Sequence, residues 1–263
     1  MLHSNDFSYG LLTPALAYLM SCLGAFLGLR CTSRARAHSG AARARWLTLA
    51  ALSIGVTGIW VMHFIAMLGY TIPGDVIRYN VPVTVLSMLI AVAVVGVGLF
   101  IVGFGGNGYP PLLLGGLIAG VGVASMHYMG MAAMRMPAAI SYDPVLLVLS
   151  AVIAVVAATA ALWAALRLGG IWSTLGAALI MGVAVSGMHY TGMAAMSIHA
   201  AQADELMLMN GATAEGFLLP LIIGISVLSF ALTATIALSP SEAEIRNDAE
   251  LMERISRANA GRP

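Results

Sequence analysis

The sequence predicts an all-α membrane protein: seven transmembrane helices built from three parallel helical-hairpin repeats plus a seventh span. Three observations carry that expectation. Of 263 residues, 60% are apolar and only 9% are charged, where a soluble domain carries about 25% charged residues to cover its surface. Seven mostly apolar segments follow one another, each near the roughly 20 residues a helix needs to cross a bilayer with its backbone satisfied internally. A Met-His-aromatic triplet also recurs three times, at spacings of 64 and then 62 residues.

In chain order the spans are expected at 9–30, 46–69, 82–104, 110–134, 144–166, 172–197 and 216–238. Turn residues separate them: Ile72-Pro73-Gly74-Asp75, Gly105-Gly106-Asn107-Gly108 with Pro110-Pro111, Met136-Pro137, and Arg167 to Gly170. Gly and Pro break helices and close turns, so these joints are legible without any template. His3, Asn5 and Asp6 stand where a secretory leader would be basic, so the first span is expected to be retained. Cys22 and Cys31 are nine residues apart on a helix, too distant for a disulfide, and read as packing residues. Gly116 and Gly120 form a small-xxx-small pair suited to close helix contact.

All 12 cationic residues are Arg. Arg30, Arg34, Arg36, Arg43 and Arg45 follow the first span, Arg167 follows the fifth, and Arg246, Arg254, Arg257 and Arg262 follow the seventh. Only Arg78 and Arg135 fall on the opposite side. Cationic loops stay in the cytoplasm, which places the N-terminus outside and the C-terminus inside. Tyr9, Tyr70, Tyr79 and Tyr142 near the outer ends, and Trp46, Trp163 and Trp172 near the inner ends, fit interfacial anchoring. The expected organisation is a membrane domain over 1–240 and a short cytoplasmic tail over 241–263. In the tail, Ser239-Pro240-Ser241-Glu242 reads as a helix start. Ile245, Ala249, Met252 and Ile255 would form its apolar stripe.

The repeats are Met62-His63-Phe64, Met126-His127-Tyr128 and Met188-His189-Tyr190. Gly120 to Met134 resembles Gly182 to Met196, and Gly55 to Met67 does so more loosely. Two spans per repeat return the chain to the same side, so all three triplets lie at matching depth in the even-numbered spans. On a helix, positions i and i+4 share a face, which places Met67, Met131 and Met193 beside His63, His127 and His189. At i+7 stand Met134 and Met196. Met62, Met126 and Met188 lie about 100° around but are long and flexible.

Imidazole with thioether sulfur suits copper, Cu(I) above all, whereas hard cations want oxygen ligands and the spans hold no carboxylate. Ionisable groups within a bilayer point to function. The competing reading is a packing stripe of Met with hydrogen-bonded His. His3, His38 and His199 read as solvated or loop residues.

With Met188-His189-Tyr190-Thr191 as a full match, the sequence resembles the MHYT domain family, integral membrane sensors of the bacterial inner membrane. The second copy departs with Met129 in place of Thr, and the first with Phe64 and Ile65. The resemblance covers residues 1–240. It implies a signal-transduction sensor that binds copper through His63, His127 and His189 with Met62, Met126, Met188, Met67, Met131 and Met193. The sensed input would be a diatomic gas (O2, CO or NO) or redox state. Phe64 cannot donate the hydrogen bond that Tyr128 and Tyr190 can.

Copper transport or a haem-type redox protein is the alternative. A retinal protein is excluded because no Lys exists to carry the Schiff base. No nucleophile triad, paired carboxylates or phosphate loop appears, so an enzyme is not expected. Expected partners are the lipid bilayer, a second copy, or a cytoplasmic signalling protein reached through the tail; nucleic acid is not among them.

Overall fold

The computed structural model describes residues 8–72, 76–106, 108–136, 138–200 and 210–238, together with Leu251, Met252 and Arg257. The chain divides into two compact units, Met1–Ser226 and Val227–Pro263. The boundary expected at 240 and the tail's helix start, apolar stripe and ion pairs lie outside the described residues, save Met252, Leu251 and Arg257.

Among the described residues seven helices are long and apolar enough to cross a membrane. We label them α1 (Leu12–Arg36), α2 (Gly40–Leu68), α3 (Val81–Phe104), α4 (Tyr109–Ala132), α5 (Pro144–Arg167), α6 (Ile171–Ala194) and α7 (Leu219–Leu238). Their number and length are those of a multi-pass membrane protein. Two starts show why the boundaries fall where they do. Asn80 Oδ1 accepts from the Val83 amide at 3.1 Å ahead of Pro82, and Asp143 Oδ1 accepts from the Val145 and Leu146 amides at 2.8 and 3.0 Å ahead of Pro144. A side-chain acceptor before a proline satisfies amides that the first turn leaves orphaned.

Two expectations about the helix ends are corrected. The five Arg after the first span do not occupy a loop, because α1 runs on to Arg36 and α2 begins at Gly40. These side chains work at helix ends. Arg43 donates to the carbonyls of His38 (2.8 Å), Ala35 (3.3 Å) and Gly103 (3.1 Å), and Arg36 donates to those of Ala165 and Leu168. Helix C-termini leave carbonyls unpaired and carry partial negative charge, which guanidinium groups satisfy. Second, α4 and α6 stop at Ala132 and Ala194, so Met134 and Met196 sit in strands and do not continue the helical face of His127 and His189.

Among the described residues five short strands interrupt the all-helical pattern: β1 (Arg78–Tyr79), β2 (Met134–Arg135), β3 (Ala138–Tyr142), β4 (Met196–Ala200) and β5 (Ala212–Thr213). They form an antiparallel sheet ordered β2-β1-β5 and an antiparallel pair β3-β4, with Tyr142 opposite Met196. Every strand belongs to the α2–α3, α4–α5 or α6–α7 connection, so all lie on the face opposite the arginine-capped helix ends. His199, expected in a loop, is in β4 and bonds Ser141 Oγ through Nε2 at 3.0 Å. Of the tyrosines expected as interfacial anchors, Tyr9 is exposed, whereas Tyr70 and Tyr79 are buried.

Within the first unit, neighbours pack in the order α1–α2–α3–α4–α5–α6 and α6 returns to α1, closing a ring. Glycines set the closest approaches: a Cβ on Gly24 would collide with the Gly58 backbone, one on Gly55 with that of Val92, and ones on Gly116 and Gly120 with Thr159 and Val155. The last two confirm that the Gly116/Gly120 pair faces another helix, α5. Cys22 and Cys31 are free thiols. In α2 the stretch Ser53–Val61 is π-helical, directly before the first triplet. Such wide turns cluster at functional sites. They also help explain why Gly55 to Met67 matches the other two copies only loosely.

Candidate metal centre

Each triplet histidine lies five residues before its helix ends, at Leu68, Ala132 or Ala194. At ~1.5 Å rise per residue the three rings therefore share a depth. Ring closure then turns α2, α4 and α6 so that all three point inward. His63, His127 and His189 are each 1% exposed. Their ring centroids stand 4.9, 5.0 and 5.1 Å apart, edge to face. His63 Nδ1 is 3.0 Å from His189 Nδ1 and 3.2 Å from His127 Nδ1.

That geometry fits a cation. Three nitrogens bound at ~2.0–2.1 Å to one tetrahedral ion sit about 3.3 Å from each other. In a neutral imidazole only one ring nitrogen carries hydrogen. Each ring nitrogen presents either one hydrogen or one lone pair in the ring plane, so His63 Nδ1 makes a well-directed hydrogen bond to only one of its two neighbours and the other short contact is left unmatched. An ion at the centre turns all three lone pairs into ligands. The Nε2 atoms of His63 and His127 are buried with no hydrogen-bond partner, so the partner that usually orients a metal-bound imidazole is missing for both.

Packing orients those rings instead. A Cβ on Gly130 would overlap His63 Nε2, and a Cβ on Gly192 would overlap His127 Nε2. Each glycine is three residues past its own triplet histidine, so each imidazole is seated in a gap on the next motif helix. Ala66 stands at the corresponding place in the first copy, and the pattern is complete only twice. These glycines were visible as part of the repeat, but nothing in one sequence marks a missing side chain as a seat.

All six predicted methionines, Met62, Met67, Met126, Met131, Met188 and Met193, are buried. Among the described residues no hydrogen bond joins a ring nitrogen to a methionine sulfur; the imidazoles pair with one another.

The triplet aromatics form the next layer. Phe64, Tyr128 and Tyr190 meet their own histidines edge-on at 4.7, 4.9 and 4.9 Å. Tyr79 of β1 packs on Phe64 at 6.0 Å and Tyr142 of β3 on Tyr128 at 5.4 Å, so the strands cover two of the three motifs. Tyr128 OH lies 2.6 Å from Ser150 Oγ, whose own hydrogen goes to Leu147 O at 2.8 Å, which makes the phenol the donor. Phe64 has no hydroxyl, and here Trp60 substitutes. Its indole N–H donates to Ser87 Oγ at 3.1 Å, and Ser87 donates to Thr84 O at 2.7 Å. Ser87 is the seventh residue of α3, as Ser150 is of α5. The corresponding place for Trp60 in the second copy is Ala124. Sequence reasoning noted the lost phenol and missed its replacement.

The family model for MHYT, the bacterial signalling protein N-terminal repeat, matches residues 57–116 and 120–178. The chain belongs to the MHYT family. Each matched MHYT repeat opens just before a triplet, runs through the whole of the following helix and ends in the first turns of the next; the third triplet lies past the second match. Over 261 residues the chain is 36% identical to the bifunctional diguanylate cyclase/cyclic di-GMP phosphodiesterase MucR of Pseudomonas aeruginosa, covering 96% of this chain and 37% of that protein. It is 38% identical over 204 residues to the cyclic di-GMP phosphodiesterase NbdA of the same organism, covering 75% and 26%. Signaling protein YkoW of Bacillus subtilis is 30% identical over 201 residues, covering 73% and 24%. The chain thus spans about a quarter to a little over a third of these relatives' length. No solved structure matches it. As an MHYT protein this chain belongs to a family of membrane signalling proteins, and its buried histidine cluster is able to hold a metal ion.

Proposed function

We propose that this chain is a copper-dependent sensor: one ion held by His63, His127 and His189, near the face assigned to the outside, detects a diatomic gas or redox state. The convergence of three imidazole Nδ1 atoms carries the reading. Copper suits the donors available, because the three motif helices carry imidazole nitrogen and thioether sulfur and no carboxylate. The buried sulfurs of Met67, Met131, Met193, Met62, Met126 and Met188 are the candidates for completing or tuning it. A bound copper ion would supply an open position for an uncharged diatomic and a one-electron redox couple.

The chain's own part is to hold three rings in register and to convert occupancy into helix position. The motif-bearing half of α2 is the part of that helix that meets α4 and α6. A ligand that binds one spacing of these ends more tightly than another shifts the population toward it. The strands over Phe64 and Tyr128 restrict access from water. The chain itself is read as non-enzymatic. Enzymes of cyclic di-GMP turnover are named among its relatives, and the portion shared with them is a minor part of their length. That supports a reading in which the output lies in a cytoplasmic partner or domain.

The test is metal content and optical spectrum of protein purified in detergent, for wild type and for His127→Ala and His189→Ala. Stoichiometric copper in wild type, lost in both variants, is expected. Copper absent from wild type, or unchanged in the variants, overturns the proposal, and a Soret band would replace it with haem chemistry.

A further inference from the structure

On the arginine-capped side of the imidazoles, α2 to α6 surround a cavity of about 60 Å³. Ile59, Leu99, Val123, Ala158 and Val185 line it, and Met188, the residue before His189, forms its end nearest the cluster. Every lining side chain is Ala, Val, Leu, Ile or Met. A buried water needs two to four polar partners, and this wall offers none, so the cavity is dry. An ion would be less welcome still. The space exists because α5 presents Ala154, Ala157, Ala158 and Ala161 to it, where larger side chains would fill it. Packed interiors seldom leave such room.

Beyond Leu99, itself 1% exposed, lies a second cavity of about 340 Å³ that includes Arg36 and Arg43. Leu99 thus borders both the dry chamber and the cationic vestibule. This arrangement rejects a metal cation approaching from the arginine side and admits small apolar molecules, which dissolve readily in the hydrocarbon around the helices.

We propose that this cavity is a docking site for an uncharged diatomic gas, which it holds against Met188 beside the imidazole cluster after entry from the membrane interior. The assignment of the gas as the sensed ligand rests on the function proposed above; occupancy of the cavity does not depend on copper.

The experiment uses the full chain, metal-free, in nanodiscs with labelled methyl groups, and xenon under pressure as the probe. The methyl resonances of Ile59, Val123 and Val185 are expected to shift saturably, while those of lipid-facing Val156 and Val183 drift only linearly. Ala158→Leu fills the space and abolishes the saturable shift; Val156→Leu retains it. If Ala158→Leu does not fold, Ala161→Val serves and weakens xenon binding. Absence of a saturable shift in wild type, or its persistence in the folded filling variant, overturns the inference whatever the copper content. A second readout is the rate at which CO combines with copper-loaded protein. Ala158→Leu is expected to slow it, and an unchanged rate in a variant that has lost xenon refutes the docking role. Xenon uptake in a protein that binds no copper leaves the cavity assignment standing and removes the copper reading alone.

Discussion

Gly130 of α4 has no side chain at the point where the His63 imidazole of α2 lies, and a Cβ there would overlap Nε2. The same relation joins Gly192 of α6 to His127. Two of the three rings are therefore oriented by a vacancy on the neighbouring helix, with no hydrogen bond to Nε2. This links the repeat, the helix packing and the proposed metal chemistry.

Gly130→Ala should displace His63, with an overpacking penalty of about 1–3 kcal/mol and loss of bound copper. Gly176→Ala, where a Cβ meets nothing within 4 Å, should gain roughly 0.5–1 kcal/mol from the better helix former and keep its metal. Thermal unfolding in nanodiscs together with metal analysis checks both. A Gly130→Ala protein with wild-type melting and copper would show that the ring does not depend on the seat.

The Trp60–Ser87 bond predicts coupling between two positions. Phe64 is fully buried and Ser87 is already occupied by the indole, so Phe64→Tyr alone should cost about 1–3 kcal/mol for an unpaired hydroxyl. Trp60→Ala alone should cost about 3–5 kcal/mol. The double variant recreates the second copy's Ala124 and Tyr128, and the freed serine is then able to accept the phenol. Its loss should fall short of the sum; strict additivity in unfolding measurements contradicts the exchange.

Arg43 closes three carbonyls from the ends of α1 and α3 and the turn between α1 and α2. Arg43→Ala should destabilise by roughly 2 kcal/mol, the scale of hydrogen bonds from charged donors. Arg43→Lys should recover only part of this, since an ammonium lacks the planar fork. Melting temperatures of the two variants measure the difference, and equal values would assign the effect to charge alone.

Tyr142, on β3, has its phenol pushed up to about 12, by burial first and then by the neighbouring Tyr128 and Tyr70 phenols. An unfolded phenol titrates near 10. The folded group's affinity for its proton is thus the higher, so its contribution to stability is complete below about pH 10 and disappears as pH rises through 12. Phenolate absorbance should show a late-titrating group, and Tyr142→Phe should remove it and flatten the alkaline loss of stability. A late phase unchanged in that variant would place it elsewhere.

Much of the architecture was readable because the bilayer allows few solutions. Seven apolar segments had to be helices, and the glycine and proline joints fixed their order. The strands were less legible, since two to five residues carry little periodicity and sit where Met134 and Met196 appeared to continue a helical face. The helix ends were misplaced for a related reason: Arg30 to Arg45 looked like a loop, and only the neighbouring helices' carbonyls show why charge lies on terminal turns.

For the site, the spacing of 64 and 62 residues placed His63, His127 and His189 at one depth, because rise along a helix is a fixed length per residue. Direction around the axis is another matter. Three histidines at equal height face a common centre or the lipid according to how α1 to α6 close their ring, and that closure is decided by contacts such as Gly24 on Gly58 and Gly120 on Val155, between residues far apart in the chain. Sequence determined the membrane fold, the threefold repeat and the chemical identity of the donors; tertiary packing alone determined that the donors meet.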